Sequence, residues 1–341
     1  MNNIYRFILP LLFLSLVSCG EKQESLRIFM WTDNIPVDVY KDFETETGIK
    51  IIEDAISSNE EIYAKVKTSG GGYDIVTPSL DYATIMMQEG LLATLDTNQM
   101  PNLTNIDSNI MKHILAIDSN HEYIMPFAFG PTVIAYDTTL VTNDITGFDI
   151  FSNSAYTGRM LLLNDMREVM GAALIYLGYG IDETNATAMQ EVTSLLTTWK
   201  QNILRFDSDS FQLAYANGEV DIVQGYSDTI IPNLTEEKKN NTKFIIPLKG
   251  GMMWLDSFLV LKDAPNKEAA VKFINYIHRP EVYARIMDHI ESLSINVPAR
   301  KLITTEARIN YDDLSRSTML TAISLEAMAI QARVWENIQA Q

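Results

Sequence analysis

Short apolar runs alternate with amphipathic stretches along this chain. Leu26-Arg27-Ile28-Phe29-Met30 reads as a strand, 37–47 as a helix ended by Gly48, and Ile49-Lys50-Ile51-Ile52 as a second strand. A helix over 59–68, stopped by Gly70-Gly71-Gly72, and a strand over 73–77 follow. Strand, helix, strand, helix, strand predicts an α/β fold with a parallel sheet. In open sheets of this kind ligands sit beyond the carboxyl ends of the strands. The loops Trp31-Thr32-Asp33-Asn34 and Pro78-Ser79-Leu80-Asp81-Tyr82 are therefore expected to face one crevice. A second α/β unit opens near 156–158, with a strand over 159–163 turning into a helix at 164–168. It continues with a helix over 186–200 and strands near 221–223 and 244–247. The last third predicts helices over 267–278, 280–290 and 311–340, the last one broken near 315–317, with Pro280 suited to a first helical position.

The N-terminus changes the picture of compartment. One cation, Arg6, precedes an apolar run over 8–17, the order of a secretory signal. That run is shorter than the ~20 residues a membrane-spanning helix needs. Directly behind it, Leu16-Val17-Ser18-Cys19 resembles the bacterial lipobox, in which the thiol is acylated and the signal cut off just before it. The expectation is a signal peptide over 1–18 and a lipidated tether over 19–25, holding an exported body to a membrane without a spanning helix. Cys19 is the one cysteine of the chain, so it forms no internal disulfide, and once acylated it is no nucleophile.

Composition narrows the chemistry. A chain of 341 residues, 47% apolar, exceeds what one core usually holds and predicts two lobes. A formal charge of −18 opposes binding to phosphate backbones, so nucleic acid is not an expected partner. The same acidity serves solubility in general and suits a cationic ligand. One Cys and four His assemble no zinc spacing, and neither metal nor cofactor is expected. Asp165 and Glu168, three apart on one helical turn, do not flank a bond from opposite sides as glycosidase chemistry requires, so no enzyme is expected.

Several segments stand in a familiar order: Trp31-Thr32-Asp33, Phe43-Glu44-Thr45-Glu46-Thr47-Gly48-Ile49-Lys50, Tyr73-Asp74-Ile75-Val76-Thr77-Pro78-Ser79 and Asp165-Met166-Arg167-Glu168. Lys249-Gly250-Gly251-Met252-Met253-Trp254-Leu255-Asp256-Ser257, Asn275-Tyr276-Ile277-His278-Arg279-Pro280 and Pro298-Ala299-Arg300-Lys301 complete the set. Over about 26–302 the chain resembles the spermidine/putrescine-binding proteins of bacterial ABC importers. The resemblance implies a two-lobed periplasmic-binding-protein fold with hinge crossovers and a ligand cleft between the lobes. On that pattern, 26–132 plus 255–302 form lobe 1 and 133–254 plus 303–341 form lobe 2, with the main crossings at 129–132 and 254–258. It further implies a monomer that captures a polyamine or other cationic small molecule and delivers it to ABC permease subunits, on the periplasmic or cell-surface side. A lipoprotein that signals to a membrane receptor, and a solute other than a polyamine, stay open as alternatives.

A polyamine needs carboxylates for its ammonium groups and apolar or aromatic walls for its methylenes. The resemblance maps such contacts onto Trp31, Asp165, Glu168, Trp254 and Asp256, with Tyr226 as a further ring and Ser208 as a small polar group. Thr32 and Ser79 would add hydroxyl or backbone contacts. Asp165-x-x-Glu168 is at the same time a capping-box pattern. Both Trp31 and Trp254 are expected at strand ends, and Trp199 in the core. At Asp81 the chain departs from its relatives, which commonly carry an aromatic there. Asp81 and Asp33 either join the crevice, making five carboxylates with Asp165, Glu168 and Asp256, or Asp81 caps a helix over 82–89 and turns to solvent.

Overall fold

The computed structural model describes residues 24–56, 58–69, 72–306 and 308–341, so the signal segment, Cys19 and most of the expected tether lie outside the described residues. In the first lobe β1 (Ser25–Trp31), α1 (Val37–Thr47), β2 (Lys50–Ile56), α2 (Asn59–Ser69), β3 (Ile75–Val76), α3 (Leu80–Gln88) and α4 (Ser108–Ile117) follow one another. β1 lies parallel to both β2 and β3, and its pairing already begins at Ser25. Gly48, at φ 75°, ends α1 by donating its N–H to the Glu44 carbonyl, a left-handed geometry that costs glycine little.

β4 (Met125–Asp137) then runs out of the first lobe, buried along its whole length. The second lobe holds β5 (Met160–Leu162), α5 (Met166–Leu177), α6 (Ala186–Asn202), β6 (Arg205–Phe206), α7 (Phe211–Ala216), β7 (Ile222–Tyr226), α8 (Ser227–Ile230), α9 (Glu236–Asn241) and β8 (Thr242–Ile245). β9 (Gly251–Val260) carries the chain back to α10 (Lys267–Ile277) and α11 (Pro280–Ile290), and β10 (Ser317–Met319) and α12 (Leu325–Ala340) finish it. The strands run β2-β1-β3-β9-β4-β7-β5-β6, with β10 added to β9 and β8 to β4.

β4 and β9 belong to both lobes. The first half of β4 pairs antiparallel with β9, setting Phe129 opposite Leu255, Gly130 opposite Trp254 and Pro131 opposite Met253. Its second half pairs with β7, Thr132 opposite Tyr226, while the far end of β9 pairs with β3. The crossings expected at 129–132 and 254–258 lie in these two strands. A strand pair held in both sheets by backbone hydrogen bonds can bend at a few residues while each end keeps its lobe, the usual geometry of hinge closure.

Apolar alternation explains how each sheet is covered. In β5, Met160 and Leu162 enter one core with Trp199, while Leu161 enters the other with Phe211 and Tyr215. The second sheet is thus buried on both faces, as near-continuous apolar strands require. Trp199 is fully buried among Phe148, Phe151 and Tyr176, its indole N–H donating to Ser152 Oγ at 3.1 Å, which matches the core role expected from its sequence.

Two local expectations are corrected. The stretch 311–340 is not one broken α-helix: 3₁₀ turns over Tyr311–Arg316 lead into β10, and only Leu325–Ala340 is α-helical. β10 finds its partner in the start of β9, Ser317 opposite Gly251, a pairing that local periodicity cannot reveal. The tail also divides between the cores, since Ile309 and Met319 pack in the first and Trp335 and Ile338 of α12 in the second. Trp254, expected at a strand end, lies inside β9, where Gly130 makes room for it. A Cβ on Gly130 would stand 2.8 Å from the indole Cζ2.

Candidate functional site

Where the two lobes face each other, carboxylates from both converge. From the first lobe come Asp81, the second residue of α3, and Asp256, on the lobe-crossing strand β9. Asp256 is 6% exposed and accepts from Ser79 Oγ at 2.7 Å. Ser79 is itself held by Asn59, whose Oδ1 accepts the Ser79 N–H at 2.9 Å. From the second lobe come Asp165 and Glu168 at the start of α5, and Asp228 in α8. Glu168 is 1% exposed, and neither of its carboxylate oxygens has a hydrogen-bond partner.

The capping-box pattern of α5 is half fulfilled, and the other half points to the cleft. Asp165 is the N-cap, accepting from the N–H groups of Arg167 at 2.8 Å and Glu168 at 3.1 Å. Glu168, which a capping box would turn back to the N-cap N–H, is instead buried without a partner. Asp81 likewise resolves between its two alternatives. It is buried rather than turned to solvent, it provides no cap, and α3 begins at Leu80 behind Ser79. Its Oδ2 lies 3.9 Å from Arg167 Nη1 across the lobes.

Burial without enough positive charge raises the pKa values of the whole group. Asp256 is pushed up to about 8 by burial, with Asp228 and Asp81 adding to it and the Ser79 hydroxyl opposing. Glu168 is pushed up to about 8 by burial and by Asp165, with Thr132 and Arg167 acting the other way. Asp81 rises to about 6 because burial outweighs the Arg167 guanidinium, and burial likewise lifts Asp228 to about 6. Asp165 is raised by burial despite its two backbone hydrogen bonds. Burial thus favours the protonated forms of Glu168 and Asp256 at neutral pH.

Two aromatic rings meet beside these acids. Tyr226, at the end of β7, meets Trp254 edge to face with ring centroids 6.3 Å apart. Burial and the nearby Glu168, Asp165, Asp256 and Asp228 hold its phenol well above the ordinary range. Trp31, at the end of β1, is half-buried, and the indole nitrogens of Trp31 and Trp254 are buried without partners.

Three of the expected residues are not gathered into this group. Asp33 is exposed, with φ 58°, and its carboxylate meets His289 Nε2 at 3.2 Å instead. Thr32 beside it is exposed. Ser208 is exposed in a turn organised by Asp207, whose Oδ1 accepts the N–H groups of Asp209 and Ser210. Arg167, Asp228 and Asn59 belong to the group although their residue types alone do not single them out. Arg167 stands in the Asp165-Met166-Arg167-Glu168 motif, and Asn59 at the helix start at 59. Nothing local marks Asp228, which follows Tyr226 by two residues.

The fold has known counterparts. The model of the family described as bacterial extracellular solute-binding protein matches residues 38–308. This chain belongs to that family. The spermidine/putrescine-binding periplasmic protein of Escherichia coli (strain K12) is 31% identical over 289 residues, covering 84% of this chain and 82% of the relative. The putrescine-binding periplasmic protein PotF of the same organism is 30% identical over 316 residues, 88% of this chain and 85% of its own. The crystal structure of the TpPotD lipoprotein of Treponema pallidum superposes with a TM-score of 0.90 at 30% identity, covering 93% of this chain and 100% of that one. A solute-binding protein of this two-lobed α/β fold is a binding and transport component rather than an enzyme, so the cleft between the lobes is read as a binding site.

Proposed function

We propose that this solute-binding protein is the lipid-anchored capture component of an ABC importer and that its solute is a polyamine or another small organic cation. The observation that carries the ligand class is the pair Glu168 and Asp256. Both are buried carboxylates that act on Tyr226, and neither has a cation of the protein bonded to it. Ammonium groups of a ligand would supply the missing charge, and charge-assisted hydrogen bonds in a desolvated cleft are the strong ones. Tyr226, Trp254 and Trp31 would wall the methylene chain between them, their faces favourable to cations. Ser79, held by Asn59, would orient Asp256. The solutes named for the two Escherichia coli relatives support the same class.

Direct titration of the purified protein tests the reading. Putrescine or spermidine should bind with a Kd in the micromolar range or tighter, while a dicarboxylate of similar length should not bind. Tight binding of the dicarboxylate, or of neither amine, would sink it. The anchor rests on Leu16-Val17-Ser18-Cys19, and the lipoprotein from Treponema pallidum supports it. Exported protein should partition into detergent with the added mass of acyl chains. If Cys19→Ala leaves mass and partitioning unchanged, the anchor is wrong.

A further inference from the structure

The cleft contains a cation of its own. Arg167, from α5 of the second lobe, and Asp81, from α3 of the first, face each other with side chains 10% and 6% exposed. At 3.9 Å the approach is an ion pair rather than a hydrogen bond, and Asp81 Oδ1 and Arg167 Nη1 are both buried without hydrogen-bond partners. The other guanidinium nitrogen, Nη2, donates to the Thr321 carbonyl at 2.9 Å, which fixes the group in place against the C-terminal tail.

This pair decides how many charges remain for a ligand. Asp165 is compensated by two backbone N–H groups, and Asp81 by Arg167. Asp228 has backbone N–H groups of Thr229 and of its own residue beside it, while its Oδ1 is buried without a partner. Neither Glu168, on which Arg167 acts without bonding to it, nor Asp256, which accepts from the Ser79 hydroxyl, has a cation of the protein bonded to it. Asp228 acts on Asp256 and Asp165 on Glu168, so the cleft has two anionic ends, which match two ammonium groups. A third ammonium would have to take Asp81 from Arg167 or lie against the guanidinium, and like charges brought together in a desolvated space are costly.

We propose that the Asp81–Arg167 pair is a specificity determinant that makes this cleft select a dication over a trication. The inference rests on the polyamine reading and adds to it the charge number of the solute. Arg167 acts by occupying Asp81, so removing the guanidinium frees a third acid, while removing both groups frees none.

Putrescine, with two charges, and spermidine, with three, are the probes, titrated calorimetrically at neutral pH into four proteins. Wild type should bind putrescine at least as tightly as spermidine. Arg167→Gln should shift the ratio of affinities toward spermidine by about tenfold or more, the worth of one additional charged hydrogen bond between an ammonium and a carboxylate. Asp81→Asn should weaken both amines, because it leaves Arg167 uncompensated. Asp81→Asn combined with Arg167→Gln should return the ratio to that of wild type. A wild type that prefers spermidine tenfold overturns the proposal without any variant, and so does an Arg167→Gln protein, folded by its melting transition, whose ratio is unchanged. If wild type binds neither amine, the polyamine reading itself has failed.

Discussion

At the scale of single residues, the proposed function rests on side chains whose environment contradicts their ordinary chemistry. Asp256 and Glu168 are acids that burial pushes up to about 8, and an acid in that state is stabilised by whatever brings positive charge. Asp256→Asn keeps the shape and the approach to Ser79 but removes the charge. It should weaken binding of a diamine by about tenfold or more, since a charged hydrogen bond is worth ~1.5–3 kcal/mol net. Glu237, exposed at the start of α9, is the control, and equal affinities of wild type and Asp256→Asn would remove Asp256 from the site. Residue types are the most legible part of the sequence. The family resemblance points to Trp31, Ser79, Asp165, Glu168, Tyr226, Trp254 and Asp256 as contacts, whereas the sequence leaves the burial of Asp81 open. The partner of Asp81, Arg167, lies 86 residues away on the other lobe, and no local pattern pairs them. Asp33 departs from expectation for a related reason, because His289 from α11 draws it away.

Elements are legible where periodicity is local and illegible where pairing is distant. α1 ends at Gly48 as its sequence requires, and α2 and α5 begin where Ser58 and Asp165 accept from N–H groups of the first turn. β10 escapes a local reading because its three residues are a strand only through β9. The crossing strands are where element and site meet. Gly130 sits opposite Trp254 and leaves no space for a methyl group, so Gly130→Ala must move either the indole or the strand. Overpacking of this kind costs about 1–3 kcal/mol. Denaturant unfolding should show that loss, and titration should show weakened binding, because the indole that shifts is the one facing Tyr226. Unchanged stability together with unchanged affinity would mean that Trp254 neither packs there in solution nor lines the site.

At the scale of the whole molecule, the two lobes and the cleft follow from a strand order in which β4 and β9 are shared. The family register over 26–302 is readable from many short motifs standing in sequence, none of which identifies the family alone. The sharing of the tail between both cores is not readable, because Met319 and Trp335 lie 16 residues apart and look equally apolar. The central claim is that a dication takes the place of protons in this cleft. Glu168 and Asp256 hold protons below about pH 8 in the empty cleft, whereas in the unfolded chain they lose them near pH 4. Between those values the native state binds more protons, so this contribution to stability falls as pH rises through the window, and ligand affinity rises over the same range. The most direct measurement is calorimetric titration with putrescine at about pH 6 and about pH 8, below and at the raised pKa values, in buffers of different ionisation enthalpy. The account predicts tighter binding at the higher pH and net release of protons on binding at the lower. Binding that is independent of pH and releases no protons, or no binding of the diamine at either pH, would contradict it.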